Sequence, residues 1–122
     1  MDFSLTEDDK MSKTADFLKQ MESEFAKFQE DFPNHLSGWG TLSSAVKAPG
    51  ALDRKTKELI ALAIGIYTHC EWCIDAHIRY ALAYGATKEE VLEASWVAVL
   101  MGGGPSLQYL LLARKALEDL ST

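Results

Sequence analysis

The chain has 122 residues, 48% hydrophobic and 25% charged, the balance of an ordinary globular protein, which excludes a disordered or fibrous chain. That length predicts one domain, 1–122. A net charge of −6 sets most of the surface against phosphate backbones and anionic lipid, so neither nucleic acid nor membrane is expected as a partner.

The opening stretch, Met1 to Lys10, lacks the basic start and apolar run of a secretory leader, and a cytoplasmic protein is expected. From Ser12 to Phe32, the residues Phe17, Leu18, Met21, Phe25, Phe28 and Phe32 recur mostly at three- and four-residue steps among charged and amide side chains, which predicts an amphipathic helix. Pro33 and Asn34 break it, and Leu36, Trp39, Leu42, Ala45 and Val46 mark a shorter helix that Pro49-Gly50 ends. The aromatic stripe of Phe17, Phe25, Phe28, Phe32 and Trp39 is expected to lie in the core or at a subunit interface.

Asp53 is a good N-cap for a third helix from Arg54 to about Thr68. Its apolar stretch Leu59 to Tyr67 is far shorter than the ~20 residues of a membrane span and is expected to be a buried core helix. A fourth helix is predicted from about Cys70 to Tyr84, with Gly85 as a left-handed C-cap residue. Thr87 and Glu90 make the capping-box pattern of a fifth, which Gly102-Gly103-Gly104 stops. Pro105 suits the first turn of a last helix carrying Leu107, Leu110, Leu111, Leu117 and Leu120. No strand pattern appears, so the expected fold is all-α, a bundle of about six helices.

The chain has two cysteines, Cys70 and Cys73, at the start of the fourth helix. Residues three and four apart share a helix face, so Cys70, Cys73 and His77 fall on one stripe. An i, i+3 pair can bring its Cα atoms within the roughly 4.4–6.8 Å that a disulfide needs, and unmet N–H groups at a helix start favour thiolate, the reactive form. His77, one turn beyond Cys73, is a candidate base. Two other readings stay open: small buried thiols without chemistry, and a zinc site from Cys70, Cys73, His77 and His69, although structural zinc usually draws on two separated ligand pairs. The run Gly102 to Pro105 is not a phosphate loop, because no strand precedes it and no Lys-Ser or Lys-Thr follows.

Glu58, then Cys70-Glu71-Trp72-Cys73, then His77 resembles the E-x11-C-x2-C-x3-H signature of the AhpD-like branch of the carboxymuconolactone decarboxylase family. The stretches Leu52 to Ile60 and Gly85 to Glu90 are similar too, so the resemblance runs from about Gly50 to Gly104. It implies an all-α homo-oligomer of trimers or hexamers, without a cofactor, with peroxidase or disulfide reductase activity on a peroxide or disulfide and a thiol reductant or redox partner protein. It also implies that Glu58 and His77 relay protons for the reactive cysteine. Attack is assigned to Cys73, nearer His77 by helical spacing, with Cys70 resolving the sulfenic acid into a disulfide. The decarboxylase branch lacks the paired cysteines, which argues against lactone decarboxylation here.

Overall fold

The computed structural model describes residues 7–121, with side chains from Lys13 onward, and the leader-like features sought in Met1–Thr6 lie outside them. Among the described residues there are six helices and no strand: α1 (Glu7–Asp31), α2 (Pro33–Lys47), α3 (Arg54–Tyr67), α4 (Glu71–Ala83), α5 (Lys88–Gly102) and α6 (Gly104–Leu120). The all-α bundle expected from the sequence is what forms. None of these helices is long and apolar enough to cross a membrane.

The helix ends follow from local chemistry. The Asp53 carboxylate accepts from the Thr56 N–H at 2.7 Å, and Thr87 and Glu90 close a full capping box at 3.1 and 2.9 Å. Pro33 opens α2 instead of separating two helices by a loop: at a first helical position its missing N–H is not needed, so Phe32 alone interrupts the helical run. Gly103, at φ +70°, turns α5 straight into α6. The turn is tight enough that a Cβ on Gly102 would lie 1.9 Å from the Ser106 hydroxyl.

The core is built around α3 and α4. Leu62 and Ile66 of α3 and Ile74 and Ile78 of α4 are fully buried, with Val91 of α5 and Ala113 and Leu117 of α6 packed on them. Helix α1 lies across α6 and α4, anchored by Leu18 and by a 2.6 Å hydrogen bond from the Thr14 hydroxyl to Asp119.

One expectation is corrected and another is narrowed. Helix α3 is not buried all round: its inner stripe is, while Ile60, Ile64 and Tyr67 are about half exposed, because α4, α5 and α6 cover only part of its circumference. Of the two places expected for the aromatic stripe, the core of this chain is excluded for four of its five residues. Phe25, Phe28, Phe32 and Trp39 are 40–60% exposed, and α2, whose backbone runs close only to α1 and α3, buries no residue.

Candidate active site

Helix α3 ends in a Schellman motif. The Cys70 N–H reaches back to the Gly65 carbonyl at 2.9 Å and the His69 N–H to Ile66 at 3.2 Å. The left-handed position is held by His69 at φ +59°, where glycine is usual, and its ring stacks on Tyr109 at 4.6 Å. Cys70, the residue that completes this motif, is also the N-cap of α4: its Sγ accepts from the Cys73 N–H at 3.2 Å. One residue thus ends one helix and starts the next.

Cys70 and Cys73 are joined as a disulfide with their Cα atoms 5.2 Å apart, inside the range expected from an i, i+3 pair. Gly65 lets the two helices meet here, since a Cβ on it would stand 3.0 Å from the Cys73 Cβ. Cys70, expected at the start of the helix, sits one residue before the first helical position, with Cys73 in the first turn.

Glu58 enters from α3 and is only 1% exposed. Its Oε1 is 2.7 Å from His77 Nδ1 and its Oε2 accepts from Arg54 Nε at 2.8 Å. The geometry therefore brings together Glu58 and His77, and the disulfide lies one turn back along α4 from His77. Burial pushes the Glu58 carboxyl up, but the hydrogen bonds from Arg54 and His77 and the positive charge of Lys47 outweigh it and hold the group below the ordinary glutamate value. An ionised Glu58 can only accept, so Nδ1 is the nitrogen that donates to it and Nε2 is the one turned to other partners.

Arg54 was not singled out as a site residue from sequence. The signal was there: it stands four residues before Glu58 on a helix, the spacing of a facing ion pair. Its guanidinium also bonds the Tyr84 hydroxyl at 3.0 Å and lies over the Tyr84 ring at 4.3 Å. His77 opens onto a cavity of about 360 Å³ walled by Phe25, Trp39, Trp72 and Tyr80, with Lys47 over the Tyr80 ring at 4.6 Å. These walls come from α1, α2 and α4, so no single stretch of sequence announces them.

Helix α4 carries a second buried acid on another side. Asp75, 7% exposed, lines a cavity of about 110 Å³ with Thr14, Glu71 and Lys115, and burial, then Glu71 and Asp119, push its carboxyl up to about 7 against the pull of Lys115. Among the described residues no three His, Cys, Asp or Glu side chains are grouped so as to hold a metal ion, and His69 is taken up by Tyr109.

Residues 33–116 match the model of the carboxymuconolactone decarboxylase family. A protein of the cox locus of Paracoccus denitrificans is 47% identical over 79 residues, 65% of this chain and 68% of that one. An alkyl hydroperoxide reductase of Mycobacterium tuberculosis is 33% identical over 70 residues, covering 57% of this chain and 18% of the relative. Among solved structures, a carboxymuconolactone decarboxylase family protein of Legionella pneumophila superposes with a TM-score of 0.88 at 40% identity, over 91% of this chain and 99% of that one. A family protein of Thermotoga maritima, for which an antioxidative role has been suggested, gives a TM-score of 0.78 at 32% identity, over 85% and 89%. The chain belongs to the carboxymuconolactone decarboxylase family.

Proposed function

We propose that the chain is a dithiol–disulfide oxidoreductase that reduces a peroxide or a partner's disulfide with Cys70 and Cys73, Glu58 and His77 moving the proton. The observation that carries this is the Glu58–His77 hydrogen bond of 2.7 Å on the same helix stripe as a cysteine pair already close enough to be bonded. The suggested antioxidative role of the Thermotoga protein and the reductase activity in the name of the Mycobacterium relative support it.

In the peroxidase reaction, neutral His77 takes the thiol proton of Cys73. The thiolate attacks the terminal peroxide oxygen and breaks the O–O bond, and the leaving alkoxide collects a proton as alcohol. The Cys70 thiol then displaces water from the sulfenic acid to form the disulfide. A dithiol reductant returns two electrons and two protons. A reversed order, with Cys70 attacking, is favoured by one observation: its Sγ accepts the Cys73 N–H, a contact that would also stabilise a thiolate there.

The test is to count free thiols in the reduced protein before and after one equivalent of alkyl hydroperoxide, for the wild type and for Cys70→Ser, Cys73→Ser and His77→Ala. Loss of two thiols as one intramolecular disulfide is expected, with the sulfenic acid trapped on whichever cysteine attacks in the partner's serine variant. Thiols inert to peroxide and to disulfide reagents would end the proposal. We further propose that copies of the chain assemble as trimers or hexamers through α2, whose Trp39, Leu42 and Val46 are each more than half exposed. Sedimentation should give the assembled mass, and a monomer at micromolar concentration would refute it.

A further inference from the structure

Glu58 offers two oxygens, and both are used by protein groups: His77 on Oε1, Arg54 on Oε2. The carboxylate is almost fully buried, so losing either partner leaves an oxygen that bulk solvent does not reach. Arg54 is itself held. Tyr84, the C-cap residue that follows the last turn of α4, accepts from its Nη1 at 3.0 Å and stacks on its plane at 4.3 Å. Tyr84, Arg54, Glu58 and His77 therefore form a clasp that runs from the C-cap of α4 across α3 and back to His77 within α4.

Resting on the relay reading above, we propose that Arg54 is the positioning residue of that relay: its charge neutralises buried Glu58, so that His77 need not carry a proton to do so and stays available as a base.

With Arg54 present, the guanidinium already balances the buried carboxylate, and a proton on His77 leaves an excess positive charge. Without the guanidinium, the carboxylate is left facing the imidazole alone, and protonating the ring is what supplies its counter-ion. A buried carboxylate without a cation is costly, so proton uptake by the pair becomes easier when Arg54 is lost. The direction of the Glu58 shift agrees: burial alone would raise it, and Arg54 heads the contributions that lower it.

Other charged groups around the pair do not replace Arg54. Lys47, from α2, adds positive charge near Glu58 but sits over the Tyr80 ring and makes no hydrogen bond to the carboxylate. Glu22, from α1, shares the cavity with His77 but is itself exposed and paired with Arg79 at 3.4 Å.

The experiment follows the His77 imidazole by NMR across pH 4 to 10 in the full chain with its disulfide closed, so that no thiol titrates and no turnover is needed. His35 and His69 serve as internal controls. Arg54→Gln should move the His77 titration upward by ~1 pH unit or more, from the general effect of removing an opposite charge beside a buried carboxylate. Arg54→Lys should restore most of it, and Tyr84→Phe, which keeps the ring and removes only the hydroxyl, should give a small shift in the same direction. An unchanged titration in Arg54→Gln would overturn the proposal, as would an Arg54→Lys displacement equal to that of Arg54→Gln, since charge would then be irrelevant. Should Arg54→Gln not fold, Arg54→Lys still decides: a His77 titration near that of wild type is the expected result, and one displaced upward by ~1 pH unit or more with the charge kept would overturn the proposal. Inert thiols alongside the expected titrations would sink the oxidoreductase reading and leave the role of Arg54 in place.

Discussion

Asp75 should make the stability of this protein depend on pH in the direction opposite to a salt-bridged acid. Its carboxyl is held at about 7 in the folded chain against 3.8 for an ordinary aspartate, first by burial and then by the charges of Glu71 and Asp119. The folded state thus binds the proton more tightly than the unfolded chain does. The contribution is fully present below pH 4, falls as pH rises through the window between 3.8 and 7, and is lost above it. A gap of roughly three pH units at ~1.4 kcal/mol each sets an upper bound near ~4 kcal/mol for carrying the ionised group in the fold. Asp75→Asn keeps the shape and removes the titration. Relative to wild type it should be near parity at pH 4 and more stable at pH 8 by roughly 2–4 kcal/mol, a rise in Tm of about 8–15 °C by the usual scaling. Thermal unfolding followed by circular dichroism at pH 4, 5, 6, 7 and 8 reads this difference, with all other titrating groups shared by the two proteins. An offset that stays constant across that range would refute the reasoning, because it would mean that Asp75 is ionised in the fold as readily as outside it.

Three further outcomes are expected. Gly65→Ala puts a Cβ 3.0 Å from that of Cys73, so α3 and α4 must part slightly at the cysteines; urea unfolding should record a loss of about 1–3 kcal/mol in spite of the better helix former. Leu62→Ala, at a fully buried position, should cost about 2–5 kcal/mol by chemical denaturation, whereas Ile64→Ala, at a position 57% exposed, should stay within about 0.5 kcal/mol in the isolated chain. Thr87→Ala removes the hydroxyl that accepts from the Glu90 N–H and should lower stability by ~1 kcal/mol, while Glu90→Gln, which can still bond the Thr87 N–H, should cost less.

What could be read from the sequence was what neighbouring residues decide among themselves. The Asp53 and Thr87 caps, the left-handed Gly85 and the stop at Gly102–Gly104 depend on partners within a few positions, and each formed where its residues predicted. The cysteine and histidine stripe is equally local. Glu58 is different: nothing in Lys57-Glu58-Leu59 says which way its side chain faces, and only the meeting of α3 with α4 buries it against His77. Its place in the sequence reading came from resemblance alone. Burial failed in the same way for Ile60, Ile64, Trp39 and Leu42, because an apolar residue records a preference for contact without recording whether this chain supplies the contact. Asp75 drew no attention from sequence, since an acid two residues from a cysteine on a helix is ordinarily solvated.

Cys70 belongs to two helices at once, and this couples oxidation state to folding. Its backbone N–H closes the end of α3 and its sulfur caps the start of α4, so a change in the charge or bonding of that sulfur is felt as a change in how firmly the joint holds. By thermodynamic linkage, whatever the fold gains from one redox form over the other must equal the displacement of the cysteine pair's potential from its unfolded value, about 30 mV for each ~1.4 kcal/mol. Unfolding curves of the reduced and oxidised chain would therefore measure an electrochemical quantity without an electrode.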